Sequence, residues 1–139
     1  MVHALEKIHR LLAPDGLLID IHPTAQPPAL EVRSGDHVTL AGWVHETDEY
    51  VQYAQADAAV QAVLREGLYA LEISETFAFL THAENLAELQ DHLAREWKDA
   101  FIDEQTAGRA EELLLTPESD REVWIRETVS IARLRARRA

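Results

Sequence analysis

Asp20 and His22 stand two residues apart in HRLLAPDGLLIDIHP, residues 9–23. In an extended chain that spacing puts both side chains on one face. A carboxylate can orient an imidazole, and such a pair can work as a base on a bound substrate. The plainer alternative is that Asp20 caps a loop and His22 rests under Pro23. A second group of interest is aromatic. Trp43 and His45 end one segment, and Tyr50 and Tyr53 begin the next, three apart and on one helical face. With His22 they would surround a small organic molecule, or else form a satellite core beneath a surface loop. The expected substrate-binding set is therefore Asp20, His22, Trp43, His45, Tyr50 and Tyr53.

The remaining histidines do not build a local metal site. His3 and His9 are six apart, His37 sits in a turn, and His82 and His92 flank a helix start and its exposed side. His45 is close to Glu46 and Asp48, a cluster that also reads as a helix entry. No HExxH is present, and the expectation is that no metal is bound. There is no GxSxG elbow, no GxxxxGK[ST] loop and no GxGxxG. The five glycines, at 16, 35, 42, 67 and 108, are too far apart to cradle a phosphate between them. The absence of cysteine excludes a thiol nucleophile, a disulfide scaffold and a cysteine zinc site.

These side chains must be carried by regular elements. Val2, Leu5, Ile8, Leu11 and Leu12 recur at helical spacing, so Val2–Leu12 reads as a helix ended by Pro14-Asp15-Gly16. Leu17–Ile21 is a short, almost wholly apolar strand, of the kind covered on both faces in a parallel sheet. A proline loop follows. Leu30–Arg33 and Val38–Val44 form a hairpin about Ser34-Gly35-Asp36-His37. Glu49–Arg65 is an alanine-rich helix stopped by Gly67. Leu68–Leu80 is a long strand, Asn85–Trp97 a helix, Phe101–Leu115 a second helical segment, Thr116–Asp120 a turn, and Glu122–Leu134 a closing strand. Alternation slips near Glu127–Thr128, the mark of a bulge or an outward turn. The class is α/β or α+β by pattern.

The chain has 139 residues and a mass of 15.7 kDa, enough for one domain with a modest core. Charge is uneven. Residues 1–120 carry 23 acids and 7 bases, whereas 121–139 carry 2 acids and 6 bases. An acidic body repels a phosphate backbone, so nucleic acid is not an expected partner. No apolar run reaches the roughly 20 residues of a membrane span. The opening MVHALEKIHRLL lacks a cleavable signal profile, and a cytoplasmic location is expected.

Residues 5–23, LEKIHRLLAPDGLLIDIHP, resemble the middle of a class I S-adenosylmethionine-dependent methyltransferase. There a helix leads through a turn, usually Leu-x-Pro-Gly-Gly, into strand 5. Here the turn is Leu12-Ala13-Pro14-Asp15-Gly16. Leu5, Ile8, His9, Arg10 and Leu11 match the helix, with Lys7 where an acid is common. VWIRETVSIARLRA, residues 123–136, looks like the family's last strand. Phe79-Leu80 followed by Leu86–Trp97 is similar to strand 6 and the substrate-side insertion of some members.

The resemblance implies a single truncated domain over 1–139: a partial Rossmann-like methyltransferase sheet with an inserted β hairpin and flanking helices. Leu17–Ile21 would be strand 5 and Leu68–Leu80 strand 6. Val123–Leu134 would be strand 7, antiparallel between them. The family's glycine-rich loop and acidic strand end lie upstream of the matched region. No residue here is therefore assigned to S-adenosylmethionine, which would bind only if the missing half were supplied. The leading expectation is a C-terminal remnant, inactive alone, or the C-terminal subunit of a split enzyme with an N-terminal partner. A small-molecule binding module and a complete enzyme using Asp20 and His22 are the alternatives. In the resembling fold strand 5 lies next to a strand 4 that is absent here. Leu17–Ile21 would present an open edge, and a homodimer is expected to cover it, the alternative being that the proline loop and hairpin, residues 23–44, fold back over it.

Overall fold

The computed structural model describes residues 1–117 and 120–138. In chain order its elements are α1 (Val2–Leu11), β1 (Leu17–Pro23), β2 (Ala29–Ser34), β3 (His37–Trp43), β4 (His45–Glu46), α2 (Val51–Arg65), β5 (Tyr69–Ala83), α3 (Leu86–Glu96), β6 (Ala100–Phe101), α4 (Glu104–Leu114) and β7 (Arg121–Ala136). Two compact units are built from them. Unit 1 takes Met1–Ala25, Val51–Phe77 and Thr128–Ala139; unit 2 takes Gln26–Tyr50 and Ala78–Glu127.

In unit 1, α1 stops at a turn whose two central demands are both met. Asp15 takes φ 59°, a left-handed conformation that aspartate tolerates better than most residues. A Cβ on Gly16 would lie 2.9 Å from the Ala13 carbonyl oxygen, so only glycine fits there. The turn delivers β1 onto β7, antiparallel, from Leu17 opposite Arg135 to Pro23 opposite Val129. β5 also pairs with β7. The Leu68 carbonyl accepts the Arg137 N–H at 2.9 Å, and Glu72 bonds Arg133 and Arg135, so the two strands run in opposite directions. β7 therefore lies between β1 and β5. One face of these strands packs on the helices through Leu5, Val60, Val63, Tyr69, Ala132 and Leu134. The Tyr69 hydroxyl donates to the Leu5 carbonyl at 2.9 Å, and burial pushes its pKa up.

In unit 2 the hairpin β2–β3 turns tightly at Gly35-Asp36, with Gly35 at φ 59°. Its register shifts between Leu30 and Glu31, a bulge. β2 pairs antiparallel with β7 from Ser34 opposite Arg121 to Ala29 opposite Arg126. Leu30, Val32, Leu89, Leu93, Ala110, Val123 and Ile125 form the core. Asn85 caps α3 by accepting the Glu88 N–H at 2.9 Å, and Asp103 caps α4 by accepting the Thr106 N–H at 2.7 Å. A Cβ on Gly42 would fall 2.4 Å from the Thr106 hydroxyl, so glycine permits the close approach of α4 to β3.

The strand order is β1-β7-β2-β3, with β5 also on β7. This is a mixed α/β fold with an antiparallel sheet, and the order is not Rossmann-like. The segment Leu17–Ile21 does not sit in a parallel sheet covered on both faces. Its neighbour is antiparallel, and Leu17, Ile19 and Ile21 are 46, 52 and 57% exposed. Their alternates, Leu18, Asp20 and His22, face the helices instead. The long helix begins at Val51 rather than Glu49, because Glu49 and Tyr50 take φ 53° and 63°. Phe101 leaves the expected helix and, with Ala100, pairs with His45–Glu46. The turn expected over Thr116–Asp120 includes Glu118 and Ser119, which lie outside the described residues.

Candidate functional site

Unit 1 brings Asp20 and His22 together as their spacing predicts. The His22 Nδ1 lies 2.8 Å from an Asp20 carboxylate oxygen. The other ring nitrogen, Nε2, lies 2.7 Å from Asp57 Oδ1, supplied by α2. Asp57 shares a helix face with Val60, Gln61 and Leu64, at helical spacings of three, four and seven. All four line a cavity of about 120 Å³ with Asp20, His22, Ser74 and Ser130. Ser130 is the β7 partner of His22, which puts its side chain on the same face.

The arrangement limits what His22 can do. Ionised carboxylates only accept hydrogen bonds, and a neutral imidazole donates through one nitrogen. Both short contacts are therefore made together only when the ring carries two N–H groups. Such a ring has no free lone pair with which to take a proton. In this geometry His22 is a bridge between β1 and α2, and a basic role requires one of its carboxylate contacts to open. The His22 side chain is 13% exposed, against 21% for Asp20 and 52% for Asp57, so the bridge is reached from the α2 side.

The other expected residues divide between the units. Tyr53 is half-buried on α2 in unit 1. Trp43, His45 and Tyr50 belong to unit 2. Trp43 is 48% exposed at the end of β3. His45 Nε2 is 2.9 Å from Asp103 Oδ2, and its ring stacks on Phe101 with centroids 5.3 Å apart. Asp103 is held below the usual carboxylate range, first by the Thr106 backbone N–H, then by the Thr106 hydroxyl and by His45. Tyr50 is buried and donates its hydroxyl to the Val44 carbonyl, a structural use that also anchors its unusual backbone.

Several charged groups in unit 2 were not singled out from sequence. Arg33 donates to Glu122 at 2.8 Å and grips Asp120 with two nitrogens at 3.0 and 3.2 Å. Its bond lowers the Glu122 pKa, with a further contribution from His82. Glu31 accepts from Trp124 at 2.6 Å and Arg126 at 2.9 Å. Glu46 is buried and accepts the Trp97 indole N–H at 2.5 Å. The Glu127 pKa is pushed up, first by burial and then by Glu46. Asp57 and these acids carry no local motif; their partners are 35 or more residues away or buried by other elements.

Among the described residues no group of three or more His, Asp or Glu side chains is arranged to hold a metal ion, and no helix is long and apolar enough to cross a membrane. Comparisons with protein-family models, curated proteins and solved structures find no match.

Proposed function

We propose that this chain is the C-terminal, acceptor-side part of a methyltransferase-like protein, unable alone to bind S-adenosylmethionine or transfer a methyl group. The observation that carries the reading is the placement of β7 in unit 1, antiparallel between β1 and β5. That placement supports the 5-7-6 arrangement which the resemblance implies for these three strands alone, although the order of the whole sheet is not Rossmann-like. The entry turn supports it. The resembling family has two glycines where Asp15 and Gly16 stand. Here the first position has a left-handed φ and the second has no room for a side chain. Unit 2 then consists of two insertions, one following β1 and one dividing the β5–β7 pair.

Under this reading the cofactor's glycine-rich loop and ribose-binding acid correspond to a part upstream of the matched region. None of the five glycines here lies near another in sequence, and no residue of this chain is assigned to that role. Within unit 1, Asp20 and His22 near the exit of β1 are the residues this reading assigns to the acceptor side. Among the described residues β1 is paired on one edge only, and its other edge is where the N-terminal half would add a strand or a second copy would pair.

The test is calorimetric titration of S-adenosylmethionine into the chain alone and into its mixture with a protein encoded immediately upstream. Heat of binding is expected only from the mixture. Stoichiometric micromolar binding to the chain alone would overturn the proposal. A mixture that forms a stable complex yet still ignores the cofactor would do so too.

A further inference from the structure

A concavity of about 510 Å³ in unit 1 is lined by His9, Arg10, Glu66, Gly67, Arg137 and Arg138, among others. Its described lining carries three arginines and one glutamate, whereas the chain as a whole has a net charge of -12. Elsewhere four arginines are spent on acids, Arg33 on Asp120 and Glu122, Arg126 on Glu31, and Arg133 and Arg135 on Glu72, and Arg95 and Arg121 bond backbone carbonyls. Among the described residues, the Arg10 and Arg137 guanidinium groups have no hydrogen bond or ion pair. Among the described residues Glu66 is the one acid in the lining, and it makes no ion pair there.

Helix capping does not account for these two arginines. α2 ends in backbone bonds alone, with Gly67 N–H to the Leu64 carbonyl and Leu68 N–H to the Val63 carbonyl, both 3.1 Å. At the end of α1 the Leu12 carbonyl already accepts from Arg138. The backbone that presents Arg137 is fixed on both sides. Its N–H donates to the Leu68 carbonyl at 2.9 Å, and its carbonyl accepts from His9 Nε2 at 2.8 Å. The His9 ring is itself held edge-on to Tyr69, with centroids 5.2 Å apart. Two cationic forks therefore stand unpaired on a braced wall, the arrangement that suits oxyanion recognition.

We infer that this concavity binds a compact anion with two or more negatively charged oxygens, of the phosphate and pyrophosphate class. The acidic remainder of the surface opposes a long polyanion, which would extend beyond the basic patch. The inference is independent of the methyltransferase reading.

Pyrophosphate is the probe, titrated into the full ¹⁵N-labelled chain at low salt. Saturable shifts are expected at the Gly67, Leu68 and Arg137 amides. Arg10→Gln and Arg137→Gln should each weaken binding about tenfold or more, as loss of a charge-assisted bond implies. Both side chains are exposed, so the fold should survive, which circular dichroism checks. Arg109→Gln, an exposed arginine of unit 2, should leave affinity unchanged. Absence of saturable shifts at millimolar pyrophosphate overturns the inference. So does equal weakening by Arg109→Gln, which would mean diffuse charge attraction. Tighter binding of duplex DNA than of pyrophosphate would also reject a compact-anion site.

Discussion

Glu127 and Asp103 are both carboxylates, yet their surroundings move them in opposite directions. Asp103 is stabilised as an anion by the donors that it caps. Glu127 is half-buried near Glu46, and both burial and that second acid favour its neutral form. A carboxyl whose folded-state pKa is raised adds stability below its ordinary value and loses it as pH climbs through the raised value. Glu127→Gln removes that loss. Its stability advantage over the parent chain should therefore grow from about pH 4 to pH 7, measured by urea unfolding at each pH. A difference that stays flat over this range would contradict the assignment. Asp57 teaches the complementary lesson about reading a sequence. Asp20 and His22 were visible as a pair because two residues along a strand fix a common face. Asp57 was one acid in an alanine-rich helix, and only the packing of α2 brings it within 2.7 Å of His22.

At the scale of elements, periodicity located the long segments and failed where geometry was too short or too strained to leave one. β4 and β6 have two residues each, which is less than a full alternation. Glu49 and Tyr50 belong to no repeating pattern, since side chains rarely adopt their positive φ. The apolar run Leu17–Ile21 specifies a strand, but hydrophobicity alone does not specify that one of its faces lies open. The contact of α4 with β3 gives a sharp prediction here. Gly42→Ala should destabilise the chain by about 1–3 kcal/mol, because its methyl would meet Thr106 atoms at 2.4 and 2.6 Å. Combining it with Thr106→Ala should recover part of the loss in a double-mutant cycle of chemical denaturation. Strict additivity of the two changes would place the strain elsewhere.

At the scale of the whole molecule the edge of β1 bears on association. Among the described residues β1 has β7 on one edge and no strand on the other, and three of its side chains are exposed apolar groups. Self-pairing at that edge predicts a mass near twice 15.7 kDa in sedimentation equilibrium at micromolar concentration. Ile19→Lys should shift the chain to the monomer with its circular dichroism spectrum retained. A monomeric parent chain rejects the pairing, and a dimer unaffected by the lysine moves the interface to another surface.

The central position of β7 has a consequence for how the chain comes into being. β7 pairs with β1, β2 and β5, all of which precede it in sequence. Leu17 and its partner Arg135 are separated by more than a hundred residues. During synthesis the earlier strands leave the ribosome before the ladder that joins them exists. The helices and the β2–β3 hairpin can form locally, but the sheet must wait for β7. Such late, long-range closure slows folding and leaves apolar edges unsheltered in the meantime. The nascent chain is therefore most exposed to aggregation, and most in need of chaperone shelter, just before β7 emerges.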